Sequence, residues 1–197
     1  WWSWGWTDNA LESHIHRFAL DGDNTVYAAS GKVPGWQWSQ FALDEQDGLL
    51  RVATTDEDWW WGTNSAETGS GVYVLEESGT ELNVIGSVNG IAPGEMIQGV
   101  RFVDDIAWLV TFLQVDPLFA IDLSEPTAPA VIGELEIPGF SRYLHPLEGG
   151  YLLTVGMDGT EDGTLTGFAV KLFDVRDPTQ PTLMDSLTVS SDDWSWS

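Results

Sequence analysis

Asp122-Leu123-Ser124-Glu125-Pro126-Thr127-Ala128-Pro129 is matched, 52 residues later, by Asp174-Val175-Arg176-Asp177-Pro178-Thr179-Gln180-Pro181. One copy follows the apolar run Leu118-Phe119-Ala120-Ile121 and the other follows Val170-Lys171-Leu172-Phe173; each precedes a further run. A self-similar unit of this length, built of short strands, is the mark of a β-propeller blade. A second marker falls between units: Val33-Pro34-Gly35, Ala92-Pro93-Gly94 and Ile137-Pro138-Gly139, spaced by 59 and 45 residues. Proline lacks a ladder donor and glycine tolerates positive φ, so Pro-Gly marks the exit from an edge strand into the next blade.

The frame yields four strands per blade. In the clearest one, the first strand is Gly99-Val100-Arg101-Phe102-Val103, closed by an Asp104-Asp105 turn. The second, residues 106–112, is almost wholly apolar, as suits a strand buried on both faces. The third covers 118–123. The fourth, 131–137, sets Val131, Leu135 and Ile137 on one face and Glu134 and Glu136 on the other, an outer strand with one wet face. A blade before it opens at Gln40-Phe41-Ala42-Leu43, and a blade after it opens near Tyr143-Leu144-His145. A half blade leads the chain, with strands over 14–20 and 25–30 joined by the tight turn Asp21-Gly22-Asp23-Asn24.

The sequence is therefore all-β, a β-propeller segment of about three and a half four-stranded antiparallel blades. All of 1–197 belongs to one propeller domain, with a half blade over about 1–33 and blades over about 36–90, 95–138 and 140–190. Closed propellers have about four to eight blades. An open arc leaves two unpaired edges. The expectation is that this is a segment of a larger protein, or that the remaining blades of a parent chain or copies of itself complete the ring.

Composition narrows the partners. The 197 residues carry 7 Lys plus Arg against 31 Asp plus Glu, a net charge of −24. Such a surface repels nucleic-acid phosphate and attracts cations, basic proteins and cationic ligands. The bland alternative is solubility. No run approaches the ~20 apolar residues of a membrane helix, so no transmembrane segment is expected. No cysteine is present, which removes disulfide and thiolate chemistry.

Twelve tryptophans are the compositional anomaly. Trp1, Trp2, Trp4 and Trp6 precede the third-strand position of the half blade. Trp59, Trp60 and Trp61 fall in the next loop of that kind, between second and third strands. Trp36 and Trp38 follow Pro34-Gly35, and Trp194 and Trp196 follow the last strand. Only Trp108 sits inside a strand. In an antiparallel blade these connections leave at the same end, so eleven of the 12 tryptophans are expected on one face of the disc. Asp8, Asp56-Glu57-Asp58 and Asp192-Asp193 accompany them. Tryptophan offers a flat apolar surface at low entropy cost, suited to sugar rings, to cations or to protein hot spots. The competing reading is that the long loops bury these rings among themselves.

Other signals are weaker. Asp21, Asp23 and Asn24 supply hard oxygens at close spacing and are candidate calcium ligands, as is the run 158–163; both lack the EF-hand pattern, and Asp-Gly-Asp-Asn is also ordinary turn chemistry. His14 and His16 share one strand face, which reads as solvent-facing in the absence of a third ligand. His145, before Pro146 on an inner strand, reads as a hydrogen-bonded core histidine. No Gly-x-Ser-x-Gly elbow and no phosphate-cradling Gly-Lys motif occur. No catalytic residue is assigned, and no cofactor is expected beyond a possible calcium ion. Arg101 and Arg142, near equivalent first-strand positions, are expected to pair with carboxylates of neighbouring blades.

Several stretches together resemble a known family: secreted bacterial and archaeal proteins with a C-terminal β-propeller domain distantly related to WD40 repeats. They include Phe41-Ala42-Leu43-Asp44-Glu45, Leu50-Arg51-Val52-Ala53-Thr54-Thr55, Val100-Arg101-Phe102, Gln114-Val115-Asp116-Pro117-Leu118 and Leu172-Phe173-Asp174-Val175. The resemblance covers about residues 12–190. It implies a propeller secreted or held at the cell surface, in proteins much longer than this chain, and it implies no activity. The leading expectation is an exported, non-catalytic binding module whose Trp-rich acidic face engages a glycan, a cationic ligand or a protein partner. The alternatives are a self-assembling structural or surface-layer component, and a segment of a propeller enzyme with its catalytic residues in blades outside this chain.

Overall fold

The computed structural model describes residues 11–37, 39–55, 69–112, 116–160 and 164–190. A leading hairpin joins β1 (Glu12–Asp21) and β2 (Asn24–Pro34). The first full blade is β3 (Leu43–Gln46), β4 (Leu49–Thr55), β5 (Ser70–Ser78) and β6 (Glu81–Ile91). The second is β7 (Met96–Val103), β8 (Ile106–Phe112), β9 (Asp116–Asp122) and β10 (Ala130–Ile137). The third is β11 (Phe140–Leu147), β12 (Tyr151–Gly159), β13 (Leu165–Asp174) and β14 (Thr182–Ser190). Strands pair antiparallel in chain order within each blade. The all-β reading of three and a half blades is what the structure shows.

Gln40–Ala42, read from sequence as the start of a strand, is instead a short 3-10 turn. The Ser39 hydroxyl accepts from the Phe41 N–H at 3.2 Å, a local partner that competes with strand pairing. The three Pro-Gly markers behave as read. Gly35, Gly94 and Gly139 take φ of 80°, 83° and 85°, each between the last strand of one unit and the next unit.

Three apolar clusters lie between consecutive units, and the period of two along each strand explains them. Val52, Tyr73 and Leu75 face the leading hairpin, where they meet Ile15, Ala29 and Val33. Their alternates Ala53, Val72 and Val74 face blade two, against Leu109, Phe119 and Ile121. Trp108, Val110, Leu118 and Ala120 then face blade three, against Leu144, Leu152 and Phe173. Second and third strands of the first two blades are thus buried on both sides, which is why 106–112 reads as a continuous apolar run. Trp108 is 3% exposed.

The repeated block is the clamp between blades. Asp122 accepts from Ser124 N at 2.8 Å and Asp174 from Arg176 N at 3.1 Å, so each block opens on the same Asx turn. Ala128 N donates to the Glu125 carbonyl, and Gln180 N to that of Asp177. The two loops deliver the Pro126 and Pro178 carbonyls onto Gly86 of β6 and Gly133 of β10 in the preceding blade, with no room for a Cβ at either glycine. Both glycines directly follow an outer-strand bulge. The same register position is Ala29 in β2 and Asp185 in β14. Blade one has only the short turn around Gly79 here, and Thr80 docks its carbonyl on Ser30 N at 3.1 Å. That contact accompanies the single parallel pair Ser30↔Glu81, which joins the hairpin to β6.

The last blade keeps one face open. Residues directly opposite in an antiparallel pair share a face. Tyr143, Val155, Val170 and Leu187 form one such row, and Met157, Phe168 and Val189 another. This is the face opposite Leu144, Leu152 and Phe173, and Leu187 is 66% exposed. At the other end of the stack, Phe18 and Tyr27 meet edge-on at 5.8 Å on an exposed patch with Leu20.

Candidate functional site

The strand ends that carry the tryptophan-bearing segments lie together. Glu12 opposes Pro34, and Gly35 N donates to the Leu11 carbonyl at 2.7 Å. Trp36 and Thr55 exchange two backbone hydrogen bonds of 2.9 Å. Ser70 pairs with both Thr55 and Ile91. Met96 opposes Phe112, Phe140 opposes Met157, and Gly167 opposes Ser190. The connections from second to third strand, and from one unit to the next, therefore all leave at one end.

Threonines and a lysine knit that end together. Thr54 Oγ1 donates to the Pro34 carbonyl at 2.7 Å, and Thr55 Oγ1 accepts from Ile97 N at 3.0 Å across the blade junction. Thr111 Oγ1 donates to Glu95 at 2.6 Å, and Ser141 bonds Thr154 at 2.8 Å. Lys171, buried, holds Asp158 at 3.0 Å and donates to the Pro138 carbonyl. Burial alone would raise the Asp158 carboxyl pKa. The Thr188 hydroxyl at 2.6 Å and the Lys171 ammonium outweigh it and hold the group below its ordinary value.

Trp36 is half-buried and lines a small recess with Gln37, Ala42, Thr55 and Ile97. Gln37 Oε1 there is buried without a hydrogen-bond partner among the described residues. Trp1, Trp2, Trp4, Trp6, Trp38, Trp59, Trp60, Trp61, Trp194 and Trp196 lie outside the described residues, as do the accompanying Asp8, Asp56, Glu57, Asp58, Asp192 and Asp193. Asp21, Asp23 and Asn24 are exposed in the β1–β2 turn, where Asp21 opposes Asn24 and Gly22 takes φ 58°. Among the described residues no group of three His, Cys, Asp or Glu is placed to hold a metal ion, and no helix is long and apolar enough to cross a membrane. His14 and His16 are exposed on β1.

Three inner-strand residues depart from their sequence reading: His145, Arg101 and Arg142, the last lying over the Phe140 ring at 5.1 Å with no carboxylate among the described residues. His145 is exposed rather than in the core, because the strand's alternation puts it on the open face of blade three beside Tyr143. Arg101 meets no carboxylate among the described residues. Its Nε donates to the Leu144 carbonyl at 2.9 Å and its guanidinium stacks over Phe41. Arg51 does hold a carboxylate, Asp44, and also reaches the Asp104 carbonyl of the next blade.

Stacked four-stranded blades with their long connections at one end define a β-propeller. The whole chain, residues 1–197, matches the beta propeller domain family, and it belongs to that family. An uncharacterized protein of Methanocaldococcus jannaschii is 39% identical over 183 residues, covering 90% of this chain and 28% of the relative. An uncharacterized protein of Archaeoglobus fulgidus is 40% identical over 170 residues, covering 86% of this chain and 24% of the relative. The chain thus spans about a quarter of the length of the curated relatives it matches.

Proposed function

We propose that this domain is an exported, non-catalytic binding module whose Trp-rich, acidic loop end engages a glycan, a cationic ligand or a protein partner. One observation carries the reading: the strand ends flanking eleven of the 12 tryptophans converge at a single end of the blades. Were the rings to gather at that end among the carboxylates, they would suit stacking on sugars or cation–π capture. The test is tryptophan fluorescence titrated with cellohexaose, tetramethylammonium and polylysine. At least one probe should quench saturably, and quenching should be lost when Trp59, Trp60 and Trp61 are changed together to serine with the far-ultraviolet dichroism unchanged. Flat titrations with all three probes would refute the reading.

The open face of blade three favours a second reading, assembly with the remaining blades of a parent chain or with copies of the domain. Contiguous apolar patches of this kind mark interaction sites. Sedimentation velocity across a hundredfold concentration range tests the self-assembly arm. A constant monomer coefficient excludes copies as the partner.

A further inference from the structure

The first strand of blade two, β7, packs on the 3-10 turn before β3 on one side and on β11 of blade three on the other. One side chain from each blade meets there. The Arg101 guanidinium carbon lies 3.9 Å from the Phe41 ring centroid and 5.6 Å from that of Tyr143. The two rings meet edge-on at 5.9 Å. Tyr143 in turn stacks with His145 at 6.0 Å, and its hydroxyl stands 3.1 Å from His145 Nδ1.

We infer that Arg101 anchors a carboxylate-binding site on this inner surface, with the Tyr143 hydroxyl and His145 imidazole beside it. The chain holds 31 acidic residues against 7 Lys and Arg. Arg17, Lys32, Arg51, Lys171 and Arg176 are all engaged with carboxylates. Arg101 and Arg142 have none among the described residues, although acid is plentiful, and of these two only Arg101 is held by both a backbone carbonyl and rings from two other blades. Its Nε is committed to the Leu144 carbonyl and the aromatic rings occupy its π-system. Both terminal nitrogens are left without an acceptor among the described residues. That is the edge of the fork that binds a carboxylate through two parallel hydrogen bonds.

Two ring contacts and one hydrogen bond hold the fork in place, so little of its rotamer freedom is lost on binding. Arg101 is half-buried, while Tyr143 at 38% and His145 beside it are exposed, so in the 197-residue chain a ligand can reach the cluster from solvent. Phosphate would also fit an arginine fork. A net charge of −24 opposes a doubly charged anion more than a singly charged one, and the aromatic surround favours a carboxylate with an apolar body. None of Phe41, Arg101, Tyr143 and His145 is a tryptophan, so the assignment stands whether or not the tryptophan loops bind anything.

The experiment is isothermal titration of benzoate, acetate and inorganic phosphate into the 197-residue chain at ~0.15 M salt, where diffuse repulsion is screened beyond about 8 Å. Benzoate should bind saturably at one site and tighter than phosphate. Arg101→Gln should weaken it at least tenfold, while Arg142→Gln leaves it within threefold. Should Arg101→Gln fail to fold, Arg101→Lys keeps the charge and loses the fork, and should still weaken benzoate at least fivefold. No saturable benzoate binding, tighter phosphate binding, or unchanged affinity in the Arg101 variants would each overturn the assignment.

Discussion

Gly86→Ala isolates the contact that locks one blade onto the next. Gly86 is buried and its φ is not positive, so an alanine can adopt its backbone. At such a site Gly→Ala ordinarily stabilises by about 0.4–1 kcal/mol, by narrowing the unfolded ensemble. Here the new Cβ would overlap the Pro126 carbonyl oxygen and stand 2.8 Å from both the carbonyl carbon and Cα of Thr127. Carbon–carbon contacts are comfortable at about 3.5–4.0 Å, so one backbone must retreat by about 0.7 Å or more. The loop cannot give easily, because its turn is fixed by Asp122 on Ser124 N and by Ala128 N on the Glu125 carbonyl, with Leu123 buried beneath it. Overpacking of this kind costs about 1–3 kcal/mol, which for a domain of this size lowers Tm by roughly 2–12 °C. Gly133→Ala meets the matching Pro178 carbonyl and should behave alike. Asp185→Ala is the control: it occupies the same register position in the last blade, on an exposed strand, and should change stability by less than about 0.5 kcal/mol. Thermal and urea unfolding followed by circular dichroism give the values. A Gly86→Ala protein as stable as the parent, or more so, would refute the clamp.

Asp158→Asn should cost about 2 kcal/mol at pH 7, because Lys171 keeps its buried charge and loses its carboxylate. The folded Asp158 pKa is depressed, so its contribution is present above the unfolded value of about 3.9 and fades as pH falls through the folded value; stability curves of the two proteins should converge below about pH 4. Arg51→Ala leaves Asp44 and the Asp104 carbonyl without their donor at a site where the Arg51 side chain is 7% exposed; urea titration should show a loss of about 3 kcal/mol. Thr55→Val orphans the buried Ile97 N–H between blades one and two; the expected loss is about 1–3 kcal/mol, and hydrogen exchange at Ile97 should accelerate.

Much of the fold was legible because blades repeat. The Asp-Pro block recurs in sequence, and it recurs in hydrogen bonds at Asp122 and Asp174. The run 106–112 announced burial on both faces, and β8 occupies those same residues. Pro34, Pro93 and Pro138 announced the exits through the glycine that follows each. The 3-10 turn at Gln40–Ala42 was not legible, because a serine hydroxyl decides it against the propensity of Phe41. Strand alternation marks two faces but not which face of the last blade has a neighbour, and so His145 read as core. Arg101 read as half of an ion pair because acid is abundant in the chain. The structure gives it a carbonyl and two rings, since what surrounds Arg101 depends on how three blades curve together. No local pattern encodes that curvature.

The curvature is also what places the loop ends together and assembles the Arg101 cluster, and one contact reports it. Phe41 and Tyr143 belong to the first and third full blades, and their ring centroids lie 5.9 Å apart. We would measure nuclear Overhauser contacts between the two rings in the selectively labelled protein, with Phe18–Tyr27 at 5.8 Å as the internal reference. A Phe41–Tyr143 cross-peak comparable to the reference is the predicted result. A clear reference peak with no signal between Phe41 and Tyr143 would contradict the arrangement of the blades.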